Sequence, residues 1–426
     1  MERVAQNNLA NALLAFIIVA IPSGLLAQNL VNIGSYDSLG YPVAVTAQGD
    51  YAYVLDNTMG LVVFDVADPA NPYTVGQLSL PLWGTDIDLE GDTAYISAGV
   101  SEPYSGALYI VDLSDKANPA MLGSFDNQWE FYDVDADNYI YVTDGNGFRA
   151  IDVSDPANPT QIIHYTAAGY VSDLRKRGNY LYLTGPAGFQ VVVVSDIFNP
   201  QILDTCDTPG QPLALALSDY YATEAYIADG DSGVQIISIA DPANLFIVGE
   251  IQLPDRATEI VMWDSWYLDA LAEDSGLVTI LVDQPASPVL TGHADTPGRA
   301  RGIAYDDYIF VVGGQSLGIF EFVETSCDYV IGDINGNGSC NGIDVTFGVS
   351  YLKGGTLPPI ACDCPPIPYP FYAAGDINGN CVFNGMDIVF FVLYYRGHYP
   401  RLNYCAACPP ANPLLRRVAG RSETIR

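Results

Sequence analysis

The sequence predicts a mainly β repeat protein that carries a small separate module at its carboxyl end. Short apolar segments separated by Gly, Asp and Pro indicate many strands and turns, and they recur with a period of about 42 residues. The amino-acid composition changes after Cys327, where cysteines and loops rich in Asp and Asn become frequent. A length of 426 residues allows roughly two to four domains, and 49% hydrophobic residues supply enough material for a sizeable core.

The charge of the chain excludes some classes of partner. Sixteen Lys and Arg residues stand against 50 Asp and Glu residues, which gives a formal net charge of -34. Such a chain repels phosphate backbones and anionic membrane surfaces. We therefore expect no nucleic-acid partner.

Residues 1–27 have the pattern of a secretory signal peptide. Arg3 precedes an apolar run at 12–21, Pro22 breaks the run, and the small Ala27 marks the expected cleavage site. The alternative is a membrane helix, but the run is about ten residues long where a span needs about 20. No second long apolar segment follows, so we expect no membrane span and a secreted, extracellular or cell-surface location.

The repeat units contain strands and turns only. Each unit has an aromatic strand, such as 50–56, and then an apolar strand that ends in D-P-A-N-P or a variant of it, with no ten-residue helical pattern between them. Four short strands per unit are typical of a β-propeller blade. The clearest copies of the turn-containing strand are Gly60 to Pro72, Gly106 to Pro119, Gly147 to Pro159 and Gly233 to Asn244.

The two ends of the repeat region complement each other. Six full units run from Tyr41 to Gly298, and a seventh starts at Arg299 but stops at Glu324 without its last strand. Residues 29–40 look like a fourth strand that lacks the first three. Pairing these ends predicts a seven-bladed propeller over residues 29–324 with no open sheet edge. A parallel β-helix or an open sandwich is the alternative.

The units resemble the LVIVD repeat family, through motifs such as YIVD at 109–112 and AIDV at 150–153. The resemblance covers about residues 29–324 and implies a propeller in exported or surface proteins. It implies almost nothing about chemistry. We expect the Asp residues of the D-P-A-N-P turns to cap backbone amides rather than to act in catalysis.

Loops on one face of such a ring carry acidic, aromatic and Arg side chains. They could form an axial site for a carbohydrate, a cation or a basic peptide, or they could be solvated turn residues. The residues in question are Asp56, Asp144, Asp229, Asp231, Glu273, Asp274, Trp83, Trp129, Arg256, Arg299 and Arg301.

Catalytic residues are hard to assemble from this part of the chain. His164 and His293 both fall on predicted outermost strands, so neither a nucleophile with a His base nor a three-His zinc site can be drawn. The sequence leaves open whether two carboxylates form a pair suited to glycoside hydrolysis. Asp269 replaces the inward-facing Tyr53 or Tyr141 of other units; it is either a buried functional acid or, as we expect, a sign of an irregular strand.

Two matched loops near the carboxyl end predict calcium binding. Segments 332–355 and 375–398 repeat each other, and oxygen ligands fall at loop positions 1, 3, 5, 9 and 12, with a backbone carbonyl at position 7. The cofactor we expect is therefore calcium, as two ions, although Cys381 replaces the usual turn Gly in the second loop. The ligands are Asp333, Asn335, Asn337, Ser339, Asn341 and Asp344 in the first loop and Asp376, Asn378, Asn380, Val382, Asn384 and Asp387 in the second.

An apolar face at helical spacing follows each loop, at Val345, Val349 and Leu352 and again 43 residues later. One loop and one exit helix per half resembles the type I dockerin family with its duplicated F-hand. The resemblance implies a small α-helical module over residues 330–410, joined by a linker at 325–329, that docks onto a cohesin-like or other surface protein. Its partner-binding positions correspond here to Gly342, Ile343, Gly385 and Met386.

Seven of the eight cysteines lie between Cys327 and Cys408. In an exported protein they predict disulfides that stabilise a small module; a four-thiolate zinc site at Cys362, Cys364, Cys405 and Cys408 is the alternative. Seven is an odd number, so one of these thiols is free or pairs elsewhere. We expect residues 411–426, which contain four Arg, to be a disordered basic tail.

These observations favour a secreted, non-catalytic binding or scaffold protein whose propeller is attached to a partner through a calcium-dependent module. One alternative is an extracellular carbohydrate-active hydrolase with an acidic axial site. A second alternative is a structural adhesion component.

Overall fold

The structure is a computed structural model. It describes residues 30–101, 104–167, 169–218, 223–263, 266–296 and 298–322, together with a few residues at 349–350, 352–353, 388–389 and 392. The predicted signal peptide, both calcium loops, the four partner-binding positions and the basic tail lie outside the described residues.

The described residues form seven four-stranded antiparallel sheets. Blades 1 and 2 contain β2 (Pro42–Gln48), β3 (Tyr51–Asp56), β4 (Gly60–Asp65) and β5 (Tyr73–Leu78), then β6 (Gly84–Glu90), β7 (Thr93–Ser101), β8 (Tyr104–Asp112) and β9 (Ala120–Asn127). Blades 3 and 4 contain β10 (Val134–Ala136), β11 (Ile140–Thr143), β12 (Gly147–Asp152) and β13 (Thr160–Thr166), then β14 (Asp173–Arg177), β15 (Tyr180–Gly185), β16 (Gly188–Val193) and β17 (Gln201–Cys206).

The other three blades follow the same plan. Blades 5 and 6 contain β18 (Ala214–Leu217), β19 (Glu224–Ala228), β20 (Val234–Ser238) and β21 (Phe246–Ile251), then β22 (Ala257–Met262), β23 (Tyr267–Ala272), the 3-10 turn Glu273–Ser275, β24 (Gly276–Leu281) and β25 (Val289–Ala294). Blade 7 contains β26 (Ala300–Tyr305), β27 (Ile309–Gly313), β28 (Ser316–Phe322) and β1 (Leu30–Tyr36).

Blade 7 closes the ring with strands from both ends of the repeat region. The sheet order is β1-β28-β27-β26, and β1 pairs antiparallel with β28 from Leu30 opposite Phe322 to Tyr36 opposite Leu317. The first strands of neighbouring blades contact one another all the way round, from β2 through β6 to β26 and back to β2. The predicted seven-bladed propeller is confirmed, and the β-helix and open-sandwich alternatives are wrong.

The core lies between the blades. In one hydrophobic cluster, Tyr53 and Val63 of blade 1 pack against Ile87, Ile96 and Tyr109 of blade 2, and all five side chains are buried. Successive residues of a strand point to opposite sides of its sheet, so each blade buries one side against the blade before it and the other against the blade after it. This is why the strands read as nearly continuous apolar runs.

The D-P-A-N-P turns close the outer hairpin of a blade and touch the preceding blade. In five turns the Asp carboxylate accepts the N–H of the residue two positions later, at 3.1–3.3 Å, as we expected of turn caps. The five are Asp68, Asp115, Asp155, Asp196 and Asp241.

Glycines in the outermost strands let these turns approach. A Cβ at Gly34 in β1 would lie 1.8 Å from the carbonyl oxygen of Pro69, and one at Gly123 in β9 would lie 2.0 Å from that of Pro156. Each glycine sits at a register shift of its strand. The same contact therefore joins blade 7 to blade 1 and blade 2 to blade 3.

Within the described residues, no helix is both long and apolar enough to cross a membrane.

We expect Gly123→Ala to lower the free energy of unfolding by about 1–3 kcal/mol, because the added methyl group forces the turn of the next blade away. Chemical denaturation followed by fluorescence measures this loss. Gly91→Asn is the matched control, since Gly91 has a φ of +61° with no atom within 4 Å of an added Cβ, and Asn tolerates that conformation. Equal losses in both variants would contradict the packing argument.

Candidate functional site

The first strands of all seven blades surround a cavity of about 340 Å³ on the axis of the ring. Its acidic lining comes from blades 2, 3, 4 and 6, and the side formed by β2 and β26 contains no acidic residue but includes Arg301, Thr46 and Tyr305. The acidic residues are Asp86, Asp88, Asp133, Asp135, Asp173 and Glu259.

The aspartates on the first strands bond the backbone of the following blade. Asp86 accepts the N–H of Val134 at 3.3 Å, and Asp88 accepts the N–H of Ala136 at 2.7 Å. The first strand of each blade is a sheet edge, so these amides have no strand partner on the axial side. The carboxylates supply the missing acceptors.

The same bond recurs further round the ring. Asp133 accepts the N–H of Leu174 at 2.7 Å, and Asp173 accepts that of Leu215 at 2.6 Å. Asp135 likewise accepts the N–H of Lys176, at 2.9 Å. Blades 2, 3, 4 and 5 are thus joined by a row of carboxylate-to-amide hydrogen bonds, which we call the axial clamp.

Arg175 of β14 lies among these carboxylates. Its Nη1 is 2.9 Å from Asp173 and 3.3 Å from Asp133. Burial disfavours its charge, but Asp173, Asp133, Asp135 and Asp86 outweigh that effect and raise the pKa of Arg175 further above its usual value. The guanidinium therefore stays charged and offsets part of the negative charge of the cavity.

Burial raises the pKa of five of the six cavity acids. Burial raises the pKa of Asp86 to about 6, that of Asp135 to about 7 and that of Glu259 to about 8, although Arg175 pulls all three downward. Burial also raises the pKa of Asp133 and of Asp173. Near neutral pH the cavity holds a mixture of neutral and charged carboxyl groups.

Glu259 differs from the aspartates of the clamp. It lies deep in the protein but keeps accessible surface on the cavity side, and among the described residues no hydrogen bond or ion pair involves its carboxyl group. Asp173 raises its pKa by repulsion and Arg175 lowers it by attraction. Of the six acids that line the cavity, it is the one whose carboxyl group holds no backbone N–H of a neighbouring blade.

Two acids that we placed in an axial site serve the loops instead. Asp56 accepts the N–H groups of Gly40 at 2.6 Å and of Tyr41 at 2.9 Å. Burial works to raise its pKa, but hydrogen bonds from Thr58, Gly40 and Met59 outweigh that effect and lower it. Asp229 accepts the N–H of Gly210 at 2.8 Å. Both tie an inter-blade loop to the tip of the next hairpin.

Asp144 also forms its contacts outside the axial cavity. Its carboxylate pairs with Arg149 at 2.8 Å and with His164 at 3.1 Å, at the edge of blade 3. His164 lies on β13 and His293 on β25, so both are on outermost strands, as predicted. Their positions keep them away from the axial cavity.

Asp269 does not mark an irregular strand, and that expectation is wrong. It sits in β23, which pairs with β24 without a register shift from Tyr267 to Ala272. Its side chain is fully buried and accepts a hydrogen bond from Thr279. A short polar pair thus takes the space that Tyr53 fills in blade 1.

Arg301 lies on β26 and lines the axial cavity, whereas the remaining candidates lie on the inter-blade loops and around the tips of the second hairpins. Trp83 and Trp129 expose 59% and 46% of their surface, and Arg301 stacks on Tyr41 with 4.2 Å between guanidinium carbon and ring centre. Three further groups make side-chain contacts or line a smaller cavity of about 310 Å³. Arg299 forms an ion pair with Glu273, and Arg256 donates a hydrogen bond to Gln211. Asp231 lines the smaller cavity together with Arg256. The backbone N–H of Asp274 donates to the carboxylate of Asp255.

The sequence reasoning missed the axial acids. A D-x-D pattern was the available signal, since Asp86 and Asp88 in one repeat match Asp133 and Asp135 in the next. A spacing of two puts both side chains of a pair on the same side of a strand.

Among the described residues, no group of three His, Cys, Asp or Glu side chains has an arrangement that could hold a metal ion. Cys206, on β17, is a free thiol.

The LVIVD repeat family matches the chain at residues 40–79, 85–127, 136–167, 168–208 and 212–252. These five LVIVD repeats correspond to blades 1 to 5. Blades 6 and 7 have the same antiparallel four-stranded order, but the family model does not match them.

Among solved structures, the LVIVD propeller is similar to a chain of the "Crystal Structure of Mitotic Checkpoint Complex". The TM-score is 0.56 at 12% identity, over 70% of this chain and 93% of the other. At that identity the similarity concerns the fold alone. No curated protein matches the chain.

We expect the stability of the propeller to fall as the pH rises from about 5 to about 8. The folded state raises the pKa of Glu259, Asp135 and Asp86, so it binds more protons than the unfolded chain over this range. The stabilisation is complete below the unfolded pKa values and is lost as the pH passes the folded ones. Glu259→Gln should reduce the slope by up to about 1.4 kcal/mol per pH unit, measured by denaturation at several pH values. An unchanged slope would refute this assignment.

Removing one carboxylate of the axial clamp should weaken the ring. Asp88→Ala leaves the N–H of Ala136 without its acceptor, and we expect a loss of about 1–3 kcal/mol in the free energy of unfolding. Asp88→Asn keeps a side-chain oxygen and should lose clearly less. Identical values for the two variants would show that the hydrogen bond contributes nothing.

Proposed function

We propose that this is a secreted, non-catalytic binding or scaffold protein. Its LVIVD propeller is the body, and a calcium-dependent dockerin-like module at residues 330–410 attaches it to an extracellular or surface partner. The observation that carries the non-catalytic part is the axial clamp, because it commits the acids of the main cavity to holding blades together.

Glycoside hydrolysis by two carboxyl groups requires one that acts as acid and one that stays free to act as base or nucleophile. Asp86, Asp88, Asp133, Asp135 and Asp173 each accept a backbone N–H from the next blade. A carboxylate held in this way cannot turn toward a substrate without breaking the contact between blades. The cavity is therefore better suited to holding the ring together than to catalysis.

Attachment through the carboxyl end rests on the two matched loops. Each offers two carboxylates and three amide side chains to one ion, a low charge that favours modest affinity and the high calcium concentration outside cells. Binding would neutralise carboxylates that otherwise repel, so the ion and the fold of the module should depend on each other. Gly342, Ile343, Gly385 and Met386 would then face a cohesin-like or other surface protein.

Glu259 favours one second candidate, an extracellular hydrolase that acts on carbohydrate. Its carboxyl group has a pKa of about 8, lies deep in the cavity and is not part of the axial clamp. Strongly shifted groups in cavities are frequent in active sites. Such an enzyme would use Glu259 as the proton donor.

Calcium should raise the unfolding temperature of a separate transition in the full-length protein. Calorimetry with calcium and with chelator measures this, and Asp333→Ala combined with Asp376→Ala should abolish the difference. The matched control is Asp295→Ala, since that side chain is 98% exposed. If the scans of the wild-type protein are the same with calcium and with chelator, the calcium proposal is wrong.

A screen of polysaccharides for hydrolysis separates the two candidate functions. We expect no turnover above background from the wild-type protein. Hydrolysis that disappears in Glu259→Gln, with the fold preserved by circular dichroism, would overturn the non-catalytic proposal in favour of the hydrolase. Hydrolysis that persists unchanged in the variant would exclude Glu259 as the proton donor.

A further inference from the structure

A cluster of aromatic side chains lies where the chain leaves the propeller. Trp263 is 5.0 Å from Tyr267, 5.6 Å from Tyr305 and 5.4 Å from Phe322, measured between ring centres. Tyr267 and Phe322 are 5.0 Å apart. We call these four residues, with Trp266, which precedes Tyr267 in the sequence, the exit cluster. It joins blade 6 to blade 7 on the face opposite the inter-blade loops.

The exit cluster departs from the pattern of the other blades. The N–H of Val282 donates to the carbonyl oxygen of Trp266 at 2.7 Å, and an equivalent bond in four other blades identifies the corresponding residue there. Those residues are Asp50, Asp92, Asn179 and Thr223. In blade 6 this turn begins with Trp263 and ends with Trp266, whereas the residue that corresponds to Trp266 is polar in those four blades.

Neither tryptophan is fully buried. Trp266 exposes 37% of its surface, and Nε1 of Trp263 is shielded from solvent with no hydrogen-bond partner among the described residues. Trp266 is exposed and the other four aromatic residues are half-buried, so the exit cluster leaves apolar surface that another protein segment could cover. A buried donor without an acceptor also favours a partner that has yet to be placed.

The position of the exit cluster indicates which segment can reach it. Phe322 is both a member of the cluster and the last residue of β28. Residue 330, where the predicted module begins, follows eight residues later and so lies within about 29 Å of Phe322 even if the linker is fully extended. A tether of this length gives a local concentration in the millimolar range, so a weak contact would be populated.

We propose that the carboxyl-terminal segment at residues 330–410 packs on the exit cluster, so that the propeller and the module form one rigid unit. The segment has apolar groups for such a contact: Leu352 and Val389, both in helical conformation, expose 44% and 51% of their surface. The proposal concerns where the segment sits and does not depend on whether its loops bind calcium.

Single-tryptophan variants of the full-length protein test this contact. The chain has four tryptophans, so one variant keeps Trp266 and the matched control keeps Trp83, with the other three replaced by Phe. Trp83 is 59% exposed and lies on the opposite face. If the segment covers the exit cluster, acrylamide should quench Trp266 several-fold less than Trp83. Equal quenching in the intact chain would overturn the proposal.

Cutting the linker provides a second test of the contact between the carboxyl-terminal segment and the exit cluster. A protease site introduced at 325–329 is cleaved under reducing conditions, and the products are separated by gel filtration. Either the two pieces stay together with Trp266 still protected, or they separate and Trp266 becomes as accessible as Trp83; both results support the contact. Separation with no change at Trp266 contradicts it.

Chelator distinguishes this proposal from the calcium proposal. Protection of Trp266 that is the same with calcium and with chelator supports docking even if calorimetry shows no calcium effect. Conversely, a calcium-dependent transition with Trp266 fully accessible supports the module and refutes its docking. Circular dichroism of each variant, matched to wild type, ensures that the comparison is made on folded propellers.

Discussion

The hydrogen bond from a backbone amide of one blade to an aspartate of the preceding blade is the interaction on which the centre of this propeller depends. The first strand of every blade is a sheet edge that faces the axis, so its amides have no strand partner on that side. Asp86, Asp133 and Asp173 provide the acceptors, and Arg175 offsets part of their charge. Bringing these acids together raises their pKa values, which links the stability of the ring to protonation.

The outer part of the ring uses a different device for the same purpose. There the D-P-A-N-P turn of one blade presses against a glycine in the outermost strand of the blade before it, as Pro69 does at Gly34. The backbone of β1 takes part in this contact although it comes from the other end of the repeat region. Closure therefore combines strand pairing with the same turn-to-glycine contact that joins blade 2 to blade 3.

These two devices leave some groups of the propeller uncommitted, both in the axial cavity and at the edge of the ring. The axial acids hold blades together, and the loop acids Asp56 and Asp229 hold hairpin tips. What stays available to ligands and partners is Glu259 in the cavity, the exposed tryptophans of the inter-blade loops and the exit cluster beside Phe322. A stable ring with contact surfaces at its edge is consistent with binding or scaffolding.

The sequence by itself determined the number of blades, their strand content and the closure by residues near 30–36, because periodicity, turn residues and an incomplete last repeat are local signals. It also indicated that His164 and His293 would lie on outermost strands. Only the tertiary structure decided which acids meet. Asp86, Asp133 and Asp173 belong to different repeats, and their burial and pKa values arise from neighbours that the ring brings together. For the same reason Asp144 joined Arg149 instead of the axis, Asp269 lay in a regular buried strand, and Trp266 was placed beside the chain exit at Phe322.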